Sequence, residues 1–328
     1  MYQVSIKKVE DRNLQKAIYE AMDLIDWRRQ IKEGGTVVVK PNMSCFVYAP
    51  GVITCPDVIF HVVSYLKTWA GEVIVGESDG THYACGEAFI RTGVKDAAER
   101  AGGRVINFSK DEQILVNING LHWKEVALPK TIVEADSFVS IPVIKTHETT
   151  LITCGIKNQF GCFADRYRNL YHHWIHEIIV DMNLAIQPDL VITDGTICME
   201  GNGPIHGPTK ELGIILASNN VLANDLVVTQ IMKFDPMEVK HLVNAMRVKL
   251  GPSSLDEISV RGMSLNDFSD IHFEPVRLDL VAHVTLFVSN SRILTRLLLN
   301  SPLIRPLYHL AWAYRGLRGR EKRVGLPP

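Results

Sequence analysis

Short apolar runs that stop on polar groups alternate with stretches whose apolar positions recur at helical spacing, the sequence mark of an α/β fold. TVVVK (36–40) is a β-branched run closing on Pro41-Asn42. An amphipathic helix is predicted from about 57 to 69, with Pro56 at its start and Gly71 past its end. EVIVGESDG (72–80) is a second strand, a helix over 87–101 is stopped by Gly102-Gly103, and RVINFS (104–109) is a third strand. This β-α-β-α-β order predicts a parallel sheet. The middle repeats the logic. SFVSIPVIKTH (137–147) is strand-like, and 171–186 carries apolar positions at helical spacing. DLVITDG (189–195) is a strand followed by the glycine- and proline-rich loop CMEGNGPIHGP (198–208), LGIILASNN (212–220) is a strand, and VLANDLVVTQIMK (221–233) is a helix. The expected fold is α/β, with mainly parallel sheet flanked by helices in two closely associated lobes. These are 1–135 and 136–290, either sequential or interleaved, followed by a basic amphipathic segment over 291–328.

Composition narrows the classes. Of 328 residues 46% are hydrophobic and 22% charged, which excludes collagen-like repeats and extended disorder. A formal net charge of −1 provides no global basic field for nucleic acid. Six cysteines in this length do not make a disulfide scaffold. The N-terminal residues lack the apolar core of a secretory signal and no 18-residue apolar run occurs, so a cytoplasmic, reducing setting is expected. From Ser291 to Pro328 there are eight Lys or Arg against Glu321, interleaved with Leu297, Leu298, Leu299, Leu307, Tyr308, Trp312 and Tyr314. Such a segment suits a peripheral membrane or protein contact, or packs as a terminal helix with a solvated tail. Self-association stays open.

In an open parallel sheet, ligands bind beyond the carboxyl ends of the strands, where loops converge. Four runs stop there on polar groups: Lys40-Pro41-Asn42, Glu77-Ser78-Asp79-Gly80, Lys145-Thr146-His147 and Asp194-Gly195. Each alone suits a solvated loop or a turn. Together they point to one cleft. Two ammonium groups, Lys40 and Lys145, suit a carboxylate or phosphate guest. A lysine beside another cation has a lowered pKa, which suits proton transfer or Schiff-base chemistry.

The ordered string VVVKPN, VIVGESDG, IPVIKTH, GIKNQFGC, DLVITDG, MEGNGP and ANDLVVTQIMKFDP, over about 36–242, resembles the DUF362 family, a family of unknown function. The resemblance implies an α/β fold and singles out Lys40, Asn42, Asp79, Lys145, His147, Lys157, Asn158, Asp194, Glu200, Asn202 and Asp225. Many members carry a ferredoxin-like insertion with C-x2-C-x2-C-x3-C clusters. This chain lacks it, so an iron–sulfur cluster is not expected. Lys157 and Asn158 lie between Gly155 and Gly161, which let backbone approach a ligand closely. If that loop folds over the cleft, Lys40, Lys145 and Lys157 share one site, and burying them requires a compensating anion or carboxylates.

Over 171–183, His172 and His176 are four residues apart, as are His173, Glu177 and Asp181, so each set would share a helix face. That spacing makes His147, His172 and His176 weak metal-ligand candidates, without the H-E-x-x-H pattern. His147 with Asp79 and Asp194 would suit a divalent ion. Cys45, Cys85 and Cys198 follow strand ends and could converge, though buried free thiols more often serve as small hydrophobes. P-loop, dinucleotide-fingerprint and nucleophile-elbow motifs are absent.

The sequence therefore supports an enzyme for a small anionic substrate. Lys145 or His147 moves a proton, and Asp79 or Asp194 orients it. Lys40, Asn42, Lys157, Asn158, Glu200 and Asn202 bind substrate. A cysteine- or cluster-based redox protein and a non-catalytic ligand-binding module are the alternatives.

Overall fold

Five of the predicted apolar runs become neighbouring parallel strands. The computed structural model describes residues 1–299 apart from 82, 278, 279 and 290; the part of the basic segment beyond 299 lies outside the described residues. In chain order the strands are β1 (Tyr2–Lys8), β2 (Thr36–Pro41), β3 (Glu72–Glu77), β4 (Arg104–Asn107), β5 (Gln113–Asn117), β6 (Glu125–Pro129), β7 (Ser137–Ile141), β8 (Val143–His147), β9 (Leu151–Thr153), β10 (Leu190–Met199), β11 (Thr209–Ser218) and β12 (Ile258–Gly262). The main sheet runs β12-β1-β11-β10-β7-β2-β3-β4, with β8 paired to β10 and β9 to β8; β5 and β6 form a separate hairpin.

From β10 to β4 every pairing is parallel. The carboxyl ends therefore lie along one edge, with Lys40 opposite Ser140 and Glu77 opposite Asn107. The other half is mixed. β1 lies antiparallel to β11 and parallel to β12, and β10 lies antiparallel to β11. β7 stands between β2 and β10, so segments on either side of residue 135 share one sheet.

Both faces of this sheet are covered, which is why its strands read as unbroken β-branched runs rather than alternating ones. Val37, Val39, Val73, Val75 and Ile192 point into one apolar cluster with the helices Leu14–Leu24 and Pro56–Leu66. Val38, Ile74, Phe138 and Val191 point into the other, with the helices Ile175–Ala185, Val221–Met232 and Lys240–Arg247. The alternation follows from successive side chains pointing to opposite faces of a strand.

Several elements differ from the periodicity reading. Pro142 interrupts the 137–147 run, which becomes β7 and β8. Gly93, at φ +79°, divides the 87–101 stretch into helices Cys85–Arg91 and Val94–Arg100. The 171–186 stretch starts as a 3-10 segment, Arg168–Trp174, and becomes α-helical only at Ile175. β10 continues through Met199, with its register against β11 shifting between Gly195 and Ile197. β1 and the helix Leu14–Leu24 were not anticipated, although Asn13 caps that helix, Ala17, Ile18, Ala21 and Met22 recur on its buried face, and Tyr2, Val4 and Ile6 alternate with polar residues in β1. No helix among the described residues is long and apolar enough to cross a membrane.

Candidate functional site

The floor of the site is a buried ion pair at the ends of β2 and β3. Lys40 Nζ lies 2.6 Å from Glu77 Oε2, with the two side chains 1% and 3% exposed. Lys40 also donates to the Pro41 carbonyl (2.9 Å) and reaches Asn158 Oδ1 at 3.5 Å. Glu77 Oε1 accepts from the Ser78 amide (2.9 Å). Gly161 lets the 159–162 turn close over the pair, since a Cβ there would meet Glu77 Oε1 at 2.5 Å and Lys40 Nζ at 2.7 Å.

Beside this floor, Lys145 on β8 donates to Asn42 Oδ1 (2.6 Å), Val52 O (2.8 Å) and Ser44 Oγ (3.1 Å). Those contacts match the three protons of an ammonium group. Burial, with Lys157 and Lys40 nearby, nevertheless brings its pKa down to about 7. Asn158 joins the two lysine subsites: its Nδ2 donates to Ser140 Oγ (2.9 Å) and the Lys40 carbonyl (3.2 Å), and its Oδ1 faces Asn42 Nδ2 at 3.5 Å. Ser140 donates to Gln159 Oε1 (3.0 Å), which in turn donates through Nε2 to Asn183 Oδ1 (3.1 Å).

The opposite wall comes from the helix Gly155–Asn158 and the 3-10 segment Arg168–Trp174. The short helix is fixed by Asp225 on the helix Val221–Met232. Asp225 accepts from the Gly155 amide (2.7 Å) and the Ile156 amide (2.9 Å), and Asn224 donates to it (2.9 Å). Burial raises the Asp225 carboxyl to about 6, against the pull of these donors. Gly155 is required here, because a Cβ would stand 2.8 Å from Asp225 Oδ1.

Lys157, half-buried on this helix, has no ion-pair or hydrogen-bond partner among the described residues. Burial, together with Arg168 and Lys40, lowers its pKa to about 8. Its charge acts in turn on Lys145, His147 and His172. His147 Nδ1 accepts from the Thr149 amide (3.0 Å), so in the neutral ring Nε2 carries the proton. Burial and Lys157 hold that ring neutral, well below its ordinary pKa, and bring His172 down to about 3. Four cations therefore converge, with Lys40–Glu77 the single ion pair among them in the described residues. That arrangement can accept an anion, and it supplies amines that titrate near neutrality beside a neutral imidazole N–H.

The remaining sequence-selected residues each have partners among the described residues. Asp79 Oδ1 accepts from the Cys85 amide (2.7 Å) and Asn107 Nδ2 (2.9 Å). Asp194 accepts from the Cys55 amide (2.9 Å) and from both the amide and hydroxyl of Thr196 (3.0 and 2.6 Å). Glu200 pairs with Lys210 (2.8 Å) and accepts from the Glu274 amide (3.0 Å), while Asn202 accepts from the Arg277 amide (3.1 Å). The latter two lie on the loop after β10, whose Gly201 carbonyl accepts from the Thr146 hydroxyl (2.8 Å).

The shared helical face expected for the histidines does not form. His172 sits in the 3-10 segment near Phe160, whereas His176 stacks on His241 with centroids 6.2 Å apart. Asp181 is buried and accepts the amides of Leu121, His122 and Trp123. Among the described residues no group of three or more His, Cys, Asp or Glu is placed to hold a metal ion, so neither His147 with Asp79 and Asp194 nor Cys45 with Cys85 and Cys198 converges as a ligand set. All six cysteines are free.

Sequence reasoning passed over Glu77, although it stands in the strand-end string that drew attention to Asp79. Arg168 and Ser140 carried no motif signal, and Gln159 stands inside the GIKNQFGC string without having been singled out.

In solved structures, the chain is similar to the lactate racemase apoprotein from Thermoanaerobacterium thermosaccharolyticum, at 16% identity and TM-score 0.40 over 58% of this chain and 49% of that one. It is also similar to a protein from Thermotoga maritima, at 13% identity and TM-score 0.33 over 62% and 54%. The chain thus spans about half the length of each of these structures. A thylakoid-associated protein of Synechocystis sp. is 29% identical over 242 residues, 69% of this chain and 72% of that protein. The model of a domain of unknown function, DUF362, matches residues 37–230, and the chain belongs to that family.

Proposed function

We propose that this protein is an enzyme for a small carboxylate or phosphate substrate, working by lysine and histidine acid–base chemistry at the strand ends in a reducing, cytoplasmic setting. One observation carries the reading: Lys157 stands without a partner among the described residues, surrounded by Lys40, Lys145 and Arg168. An unpaired, half-buried ammonium beside like charges is costly unless a guest anion completes it. Lys157 grips that anion, with Asn42 and Asn158 at its side. The Lys40–Glu77 pair sets the floor, and Asp79, Asp194, Glu200 and Asn202 hold the surrounding loops.

Lys145, titrating at about 7, is present in both protonation states at neutral pH, the condition for a proton carrier. As the free amine it takes a proton from the carbon beside the substrate's carboxylate. The C–H bond breaks, an N–H bond forms, and the electron pair moves onto the carboxylate oxygen. The Nε2–H of His147 and the Lys157 ammonium stabilise that oxygen. The thiols support a redox reading less well, since burial raises Cys85, Cys154, Cys162 and Cys198 and holds them as thiols.

The test is solvent deuterium incorporation, followed by NMR across a panel of small carboxylates and phosphate esters. Wild-type protein should exchange one α-proton on at least one compound, with a rate rising through about pH 7. Lys145→Met should abolish exchange while the Lys157 subsite still binds. Exchange at the wild-type rate in Lys145→Met overturns the assignment. A binding module is favoured by one fact, that all three Lys145 protons already have acceptors. It predicts anion capture without exchange.

A further inference from the structure

The helix Leu280–Ser289 and the turns after it, Arg292–Leu294 and Thr295–Leu299, pack against the segment Arg168–Trp174 that walls the site. Arg292 lies over the rings of Tyr171 (5.7 Å) and Trp174 (5.8 Å). The outward side of this region sets four large apolar side chains among His283, Arg292 and Arg296. Val284 is 55% exposed, Phe287 71%, Ile293 72% and Leu297 59%. The other exposed large apolar side chains among the described residues, such as Ile90, Leu115 and Met237, are scattered singly along the chain. Spacings of three (284, 287) and four (293, 297) place each pair on one side of its helical turn.

Charge identifies the occupant. Residues 280–320 contain no Asp or Glu, and they contain Arg292, Arg296, Arg305, Arg315, Arg318 and Arg320. A protein partner with a matching apolar patch would not require forty residues free of acid. An apolar strip whose charged side chains from 280 to 320 are all arginine matches a surface that is apolar below and anionic at its face. We propose that this region, centred on Phe287 and Ile293, docks the protein on an anionic lipid surface, with Arg292 and Arg296 at headgroup level.

The test is flotation of the full chain with phosphatidylcholine vesicles, with and without phosphatidylglycerol. The expected result is binding to the anionic vesicles, weakened by high salt, and little binding to the neutral ones. Phe287→Ser with Ile293→Ser should lower the bound fraction at least roughly tenfold. Arg292→Glu with Arg296→Glu should do the same and remove the salt dependence. Leu115→Ser, remote and 63% exposed, is the control and should bind as wild type. Circular dichroism and thermal melts confirm that each variant is folded. Three outcomes overturn the proposal: no binding to anionic vesicles, wild-type binding by the serine double variant, or a wild-type dimer in light scattering that the same variant converts to monomer. The last assigns the strip to a second copy of the chain. None of these readings depends on turnover, so failure here leaves the proposed chemistry untouched.

Discussion

Two walls of the same site treat their charges in opposite ways. On the strand side, Lys40 has Glu77 at 2.6 Å and Lys145 has three acceptors. On the helix side, Lys157 stands without a partner among the described residues, and at the end of β8 the same holds for His147 Nε2. Side chains whose polar capacity is exhausted by neighbours hold the fold. Those held in place with capacity left over are the ones able to meet a ligand. The Lys40–Glu77 pair is thus scaffold, Lys157 and the His147 Nε2–H keep capacity for a ligand, and Lys145, held by three acceptors, is proposed to act only as the free amine.

The largest effect expected from breaking this contrast is at Glu77. Glu77→Gln leaves Lys40 buried and uncompensated, and should cost about 3–5 kcal/mol of stability in urea titration. Pairing it with Lys40→Met should recover most of that loss. Recovery in the double variant with anion binding retained would show the pair to be scaffold only; binding lost without unfolding would move it to the working wall.

Asp225 comes next, since it anchors the helix that carries Lys157. Asp225→Asn loses one of two amide contacts and should cost about 1–3 kcal/mol. Its carboxyl titrates at about 6 in the fold against an ordinary 3.8. The folded state therefore holds the proton more tightly, and this group's stabilisation is complete below about pH 4 and lost as pH rises through 6. Asp225→Asn should flatten that window when urea midpoints are compared at several pH values.

Lys157→Met sharpens the contrast most directly. With a folded pKa of about 8 against 10.5, Lys157 opposes folding below pH 8, and the opposition fades as pH rises toward 10.5. The variant should gain on the order of 1 kcal/mol at pH 7, a gain that vanishes at high pH. Affinity for the anion found in the substrate panel should fall roughly 10–100-fold by calorimetry. A destabilised variant would mean that Lys157 holds structure after all.

The smallest effect is expected at the opposite end of the same parallel sheet, between β3 and β4. Arg104 and Glu72 also pair, at 2.7 Å, but are 51% and 47% exposed. Glu72→Gln should change stability by less than about 1 kcal/mol, and less still in high salt. A loss comparable to that at Glu77 would show that burial is not what separates the two pairs.

The parallel strands were legible because a strand covered on both faces must be apolar throughout, and their polar ends mark the edge where a ligand can sit. Lys40 and Lys145 were found that way, Lys157 through the glycine-flanked GIKNQFGC string, and the ordered strings together carried the resemblance to the family. What stayed hidden depends on partners distant in sequence. β1 alternates Tyr2, Val4 and Ile6 with polar residues, but its partners β11 and β12 lie more than 200 residues later. Glu77 meets Lys40 across 37 residues, and Asp225 meets Gly155 across 70.

The sequence by itself determined which chemical groups stand at the carboxyl ends of the strands, because strand periodicity and turn residues act locally. Only the tertiary structure decided which of those groups are spent. Asp194 has both carboxylate oxygens engaged, Asp79 uses Oδ1 alone, Glu77 became a counter-ion, and Lys157 has no partner among the described residues. Whether a buried charge is satisfied depends on which neighbours come within about 3 Å, and that distance is set by chain segments no local pattern brings together.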